Sequence, residues 1–461
     1  MYRTIRIRAK FTTEEEAFWI DQCQHSNSLI NCAVYHTRQS YFTKLESIEA
    51  YTVYWRGDQL CCGWKAYRSD TTYPELDKAL KDNPHYKALA AQSAQQTLKT
   101  VGESITGYNK LVGLYYEGEV DKPSLIRYRK KAGLAAVTFP RQALTYADSI
   151  FKPSISRETK PELITEITLP IPEFIDSDWV KEVTVRPYLG QFWLDWVIDD
   201  GKEPVKHNPD LDYSQAWGFD HGGNNWLTGV STLGKSFIID GAKLRSMNQG
   251  YSRLVAKYKQ NKSEFYWDSN LDRVQRKRNN QMRDAINKAA RFIVARCLND
   301  RIGNIVFGWN QGQKNCSDMG KRNNQNFVPI PTSRLIDRVK QLAQEHGIIV
   351  TLTEESYTSK ASFLDNDSLP KHGEKPVGWT TSGKRVKRGL YMICSGQCIN
   401  ADCNAASNIL KKVEKQLGIN LAEICRGALT LPQRVDLFKR LSKSYRKRCA
   451  GALLAPVATS A

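Results

Sequence analysis

No apolar run in this 461-residue chain approaches the length of a membrane-spanning helix, and no basic amphipathic anchor stands out. No membrane partner is expected. The first residues, Met1 to Ala9, alternate polar and apolar side chains as a strand does, without the continuous apolar stretch of a signal peptide. The 11 cysteines are scattered and odd in number, with Cys61 and Cys62 adjacent. That pattern predicts reduced intracellular thiols rather than a secreted disulfide framework. There is no glycine-rich phosphate loop, no Ser/His/Asp arrangement and no internal repeat. Acid is in short supply: 48 Asp and Glu face 67 Lys and Arg, a net charge of +19. With 41% hydrophobic and 10% aromatic residues the chain is globular, so the excess predicts a polyanionic partner, nucleic acid first.

The texture changes along the chain. After the first strand, Thr12-Thr13-Glu14-Glu15-Glu16 reads as a capped helix start, and residues 13–130 read as mainly helical. Aromatics and bases interleave there, at Trp55-Arg56, Trp64-Lys65 and Tyr67-Arg68, a mixture that suits either base stacking or a helical core. From 135 to 205 short β-branched runs (Val137–Pro140, Ile164–Leu169, Val183–Tyr188, Gln191–Ile198) predict a small antiparallel barrel that the amino-terminal strand completes. An α/β stretch follows, with strands ending at Asp220, across Ile305–Gly308 and across Ile348–Thr353. A long helix is expected over Leu271–Leu298, its start basic at Arg273, Arg276, Lys277 and Arg278.

Three acidic positions share one context. Asp220 and Glu354-Glu355 sit at carboxyl ends of expected strands, and Asp402 opens an Ala-rich helix in Asn400-Ala401-Asp402-Cys403-Asn404-Ala405-Ala406-Ser407-Asn408-Ile409. Alone, Asp402 reads as a helix N-cap. Together, acids at strand ends and a helix start can converge on one sheet edge. There, three carboxylates can hold two Mg²⁺ ions about 4 Å apart for in-line phosphodiester hydrolysis. Oxygen ligands suit Mg²⁺ or Mn²⁺ rather than zinc. His221 reads as a structural turn histidine, Asp365 and Asp367 as acids of a solvated loop, and Lys360 and Arg388 as candidate phosphate contacts.

The stretch Trp217-Gly218-Phe219-Asp220-His221-Gly222-Gly223-Asn224-Asn225 resembles the first RuvC motif of the transposon-encoded TnpB (OrfB) proteins, relatives of the compact type V CRISPR effectors. Glu354–Lys360 is similar to the segment after their second RuvC strand, and Asn400–Ile409 to their third motif. Gly320–Phe327 and Gly383–Leu390 are similar to one sub-branch. The resemblance implies a multidomain α/β protein with an RNase H-like RuvC nuclease core, a wedge β-barrel and a helical recognition lobe. Its segments would be a barrel at 1–12 and 135–207, the lobe at 13–134, and the nuclease at 208–355 and 399–425. A target-binding insert would occupy 356–398 and a basic, partly disordered tail 426–461. It further implies cytoplasmic, metal-dependent DNA cleavage next to a short flanking motif in a prokaryote, guided by a transposon right-end RNA on double-stranded target DNA. Lys439, Arg440, Arg446, Lys447 and Arg448 join the basic helix start as nucleic-acid contacts.

Two departures from that family pattern bear on the site. Many relatives carry an acid on the strand matching Ile305–Asn310, which has none here, so Glu355 or Glu354 would replace it. The alternatives are a nuclease-dead RNA-guided repressor and a compact type V CRISPR effector. Relatives also place paired cysteines where this chain has Ala361 and Ser362, leaving Cys394, Cys398 and Cys403. Four ligands at zinc spacing are missing, so structural zinc is not expected and the cysteines read as small core residues.

Overall fold

Alternation at the amino terminus becomes strand β1 (Tyr2–Arg8) in a computed structural model that describes residues 1–46, 51–159, 166–310 and 331–438. The chain is a mixed α/β multidomain protein that divides into Met1–Glu203 and Pro204–Ala461. In the first unit follow β2 (Tyr51–Arg56), β3 (Gln59–Trp64), β4 (Val137–Pro140), β5 (Leu144–Ala147) and β6 (Ile150–Pro153). Then come β7 (Leu169–Pro170), β8 (Val180–Pro187) and β9 (Phe192–Asp199). Among the described residues the β region is two open sheets, ordered β1-β9-β8-β4 and β5-β6-β7, rather than the single barrel expected. Proline closes β4, β6, β7 and β8, and a residue without an N–H cannot extend a ladder. Buried Asp195 on β9 ties the first sheet together: it accepts from Arg6 Nη2 at 2.7 Å and from Arg186 Nε at 2.8 Å.

The stretch expected to be mainly helical holds helices at Thr13–Glu46, Tyr73–Leu80 and Ala91–Tyr116, but also the β2–β3 hairpin. Its alternating Tyr51-Thr52-Val53-Tyr54-Trp55 favours a strand, and Gly57 (φ +54°) with Asp58 makes a two-residue turn. Trp19, Leu29, Leu98 and Val101 from the helices pack with Phe139 and Trp196 from the strands.

The second unit contains β10 (Asp212–His221), β11 (Asn225–Ser231), β12 (Ser236–Asp240), β13 (Ile302–Gly308) and β14 (Ile349–Thr353). These are followed by β15 (Lys384–Lys387), β16 (Leu390–Met392), β17 (Cys398–Asn400) and β18 (Gln433–Val435). A six-stranded sheet runs β14-β13-β10-β11-β12-β18. In it β13 and β14 lie parallel to β10, while β11 is antiparallel to β10 and β12. β18, from the stretch expected to be a tail, pairs in parallel with β12.

Side-chain parity sorts the two faces. Trp217, Phe219, Ile305 and Phe307 join Met282, Ala289 and Ile293 of the helix Ser269–Asn299 in one core cluster. Ala216 and Val306 point the other way and join Ile409 and Leu410 of the helix Ala401–Leu417. That helix lies very close. A Cβ on Gly218 would stand 2.5 Å from Leu410 Cγ, and one on Gly308 2.5 Å from Ile409 Cδ1. Ala405 and Ala406 are fully packed on the helix side. Small residues on both partners are what permit the approach.

Candidate active site

Asp220 follows Ala216 and Gly218 at a spacing of two on β10, so it faces the 401–417 helix at the sheet's edge. That helix is capped by Asn400, not by Asp402: the Asn400 side chain accepts from the N–H groups of Asp402 (2.9 Å) and Cys403 (3.0 Å). Asp402 is thereby released to project from the first turn. Its Oδ2 accepts from Asn225 Nδ2 at 2.6 Å, and its Oδ1 stands 3.5 Å from Arg385 Nη2.

Glu355 comes two residues after β14 ends and reaches the same place. Its N–H donates to Asn310 Oδ1 (3.2 Å), and its Oε1 accepts a long bond from Asn310 Nδ2 (3.5 Å). Its Oε2 lies 3.4 Å from His221 Nδ1, whose ring packs against Trp309. Asp220, Glu355 and Asp402 together line one cavity of about 660 Å³, with Arg385, Arg388 and Arg434 also on its wall.

Glu354 points elsewhere. It pairs with Lys412 Nζ at 2.7 Å and accepts from the Ser356 N–H at 3.0 Å. Burial works against its ionised form, but the lysine and serine contacts prevail and hold its pKa below the ordinary glutamate value. Asp220 is the opposite case. Loss of water raises its pKa well above the usual value, the charges of Asp402 and Glu355 raise it further, and Arg385 only partly opposes them.

Among the described residues no three His, Cys, Asp or Glu side chains stand in a metal-holding arrangement. Asp402 and Glu355 are each engaged by neighbouring amides and cationic or imidazole groups. The donor chemistry nevertheless fits a hard divalent cation: three carboxylates share a cavity without a thiolate, and positive charge would relieve the crowding at Asp220.

Of the other sequence candidates, Arg388 lines the cavity, whereas Lys360 is exposed outside it. Arg273, Arg276, Lys277 and Arg278 lie on the 269–299 helix, away from the cavity wall. Lys439, Arg440, Arg446, Lys447 and Arg448, and the 320–327 motif, fall outside the described residues. Asp365 and Asp367 are not solvated loop acids. Asp367 is buried and accepts from Ser362 N (2.7 Å) and Ser382 Oγ (2.5 Å), while Asp365 accepts from Cys394 N at 3.0 Å. Cys394, expected in a core, is exposed and its Sγ is 2.7 Å from Asp365 Oδ1; Cys403 is buried.

Sequence reasoning missed the residues that hold the acids: Asn225, Asn310, Arg385 and Lys412. Asn310 carried a signal, since it follows β13 at the level where an acid was sought.

Residues 202–312 match the family model OrfB_IS605, described as a probable transposase. The resemblance to the OrfB family stands. The matched segment runs through β10 to β13 and includes Asp220. No curated protein matches the chain. Solved structures similar to it include a Cas12f1–sgRNA–target DNA complex, at 12% identity over 87% of this chain and 83% of that one, with a TM-score of 0.49. A CRISPR-Cas12f ternary complex aligns at 13% identity over 87% and 82% (TM-score 0.31). The mini-RNA-guided endonuclease Cas_phi3 aligns at 12% identity over 52% and 53% (TM-score 0.30). No helix among the described residues is long and apolar enough to cross a membrane.

Proposed function

We propose that this chain is an RNA-guided DNA endonuclease that binds a transposon-derived guide RNA and hydrolyses target DNA next to a short flanking motif. The observation that carries the proposal is the single cavity shared by Asp220, Glu355 and Asp402. Support also comes from the strand order β14-β13-β10-β11-β12 with only β11 reversed, the arrangement of an RNase H-like RuvC core, and from the net charge of +19.

Asp220, Glu355 and Asp402 would hold Mg²⁺, with Mn²⁺ able to substitute. When bound, such ions polarise the scissile phosphate and lower the pKa of the attacking water. The chain's own residues do the rest. Asn310 and His221 hold the Glu355 carboxylate at the cavity, and Asn225 orients Asp402. Arg385 and Arg388 offer forked donors to a phosphate entering the cavity, and binding there would draw Arg385 off Asp402. Lys360, the 273–278 cluster and the basic residues after 438 would contact nucleic-acid backbone.

A nuclease-dead, RNA-guided DNA-binding repressor is the second reading. Two observations favour it: Asn310 brings no charge to the cavity, and Arg385 already faces Asp402. A compact type V CRISPR effector would share the chemistry and differ in the source of its RNA. The deciding experiment is cleavage of a plasmid library with a randomised flank by protein co-expressed with its native downstream RNA. Mg²⁺-dependent cutting that Asp220→Ala and Asp402→Ala abolish supports the nuclease. Guide-directed binding without cutting by the unmutated chain supports the repressor.

A further inference from the structure

Of the two helices that follow β12, Ala242–Lys259 and Ser269–Asn299, the first beyond Asn248 and the second before Met282 form an arm outside the core. The first helix buries only Leu244 and Asn248, and the second packs on the sheet only from Met282 onward. Between Asn248 and Met282 Leu271 alone is buried. At 1.5 Å per residue the first helix, which ends at Lys259, extends about 16 Å beyond Asn248. Residues 242–283 carry eleven Lys and Arg against three Asp and Glu.

The tip of this arm, Phe265-Tyr266-Trp267, is ordered by the few acids present. Asp268 caps the second helix through the Leu271 N–H (2.9 Å) and accepts from Tyr266 Oη (3.1 Å). Asp272 accepts from Trp267 Nε1 at 2.7 Å. Lys259 Nζ and Lys262 Nζ stand 5.5 and 5.3 Å from the Trp267 and Tyr266 ring centres. Phe265 is left 90% exposed and Trp267 45%. Two acids are thus spent on shaping the tip, and its remaining chemistry is flat rings flanked by ammonium groups.

The base of the arm adjoins the carboxylate cavity. Gly241 N donates to Asn224 O at 2.9 Å, and Arg245 donates to the Asn224 side chain, on the cavity wall. The basic arm thus starts at the cavity wall, and its aromatic tip follows the end of the first helix.

We propose that this arm grips the single DNA strand presented to the cavity, its lysines pairing with phosphates and Phe265 and Trp267 stacking on unpaired bases. The inference rests on the nuclease function proposed above. Duplex DNA hides its base faces and would gain only the phosphate contacts. Exposed rings on a basic support are the recognition chemistry of single strands.

The test is binding of the full-length chain, in EDTA so that no cutting intervenes, to a labelled oligothymidylate, the matching oligouridylate and a duplex of equal length. Phe265→Ala should weaken the DNA single strand about tenfold with an unchanged salt slope and leave the duplex unaffected, and Phe265→Trp should restore it. Lys257→Gln and Lys262→Gln should each lower the single-strand salt slope by about 0.7. Wild-type single-strand affinity in Phe265→Ala, equal loss on the duplex, or tighter binding of the RNA strand would each overturn the proposal. Programmed plasmid cleavage reports separately on the cavity.

Discussion

Asn310 and Glu355 clasp each other across the ends of two adjacent parallel strands. The backbone N–H of Glu355 donates to Asn310 Oδ1, and the Asn310 amide reaches back to Glu355 Oε1. The strand that lacks an acid thus presents an amide, and the neighbouring strand's acid is held beside it. Asn310→Ala would remove both of these bonds and leave the contact of Glu355 with His221 in place. We expect programmed cleavage to fall about tenfold to a hundredfold, from loss of orientation rather than of a ligand. Thermal unfolding of the same variant should move by no more than about 4 °C.

Asp220 carries a cost in the metal-free protein. A carboxyl whose folded pKa lies above its unfolded value destabilises the fold as pH rises from the unfolded value, about 3.9, through the raised one. Asp220→Asn should therefore raise the melting temperature in EDTA at neutral pH, by about 2 °C for each kcal/mol of desolvation and repulsion removed. It should also abolish further stabilisation by Mg²⁺. Scanning calorimetry of both proteins with and without Mg²⁺ measures this, and equal Mg²⁺ shifts would count against a cation at Asp220.

Asp195 predicts the opposite pH trend in the first unit. Burial raises its pKa, but the bonds from Arg6 and Arg186 outweigh burial and leave it lowered. The stabilisation is present above the unfolded value, about 3.9, and disappears as pH falls through the lowered one. Asp195→Asn should cost about 2–3 kcal/mol at neutral pH and flatten the acid limb of the unfolding curve. Urea melts at a series of pH values check both.

Asn404 and Asn408, four positions apart, share one face of the Ala401–Leu417 helix. Asn404 donates to Ala361 O and accepts from Phe363 N, and Asn408 donates to Thr358 O and Ala361 O. Both are fully buried and clamp the 358–363 segment onto the helix. Asn404→Leu strands the half-buried Phe363 N–H and should cost about 1–3 kcal/mol. Faster hydrogen exchange at Phe363 would register the loosened clamp.

Those examples mark what a sequence can carry. Strand and helix positions of the second unit followed from periodicity, because Trp217, Phe219, Ile305 and Phe307 alternate and Met282 to Cys297 repeat at helical spacing. Asp220 and Asp402 were legible because each ends or opens such an element. Glu354 and Glu355 were not separable: both follow the same strand, and the choice is made by Lys412 and Asn310, 58 and 45 positions away. The β2–β3 hairpin was hidden by its helical surroundings. The 242–259 helix carries Leu244, Met247, Tyr251, Val255 and Tyr258 at helical spacing, yet of these only Leu244 is buried.

The central claim is that Asp220, Glu355 and Asp402 form one nuclease site, with Glu355 rather than Glu354 as its middle acid. The most direct measurement is guide-programmed, Mg²⁺-dependent plasmid cleavage by Glu355→Ala and Glu354→Ala side by side. Glu355→Ala should lose about a thousandfold or more in rate, and Glu354→Ala, which forfeits an ion pair with Lys412, should stay within about tenfold of the unmutated protein. Undiminished cleavage by Glu355→Ala would contradict the account.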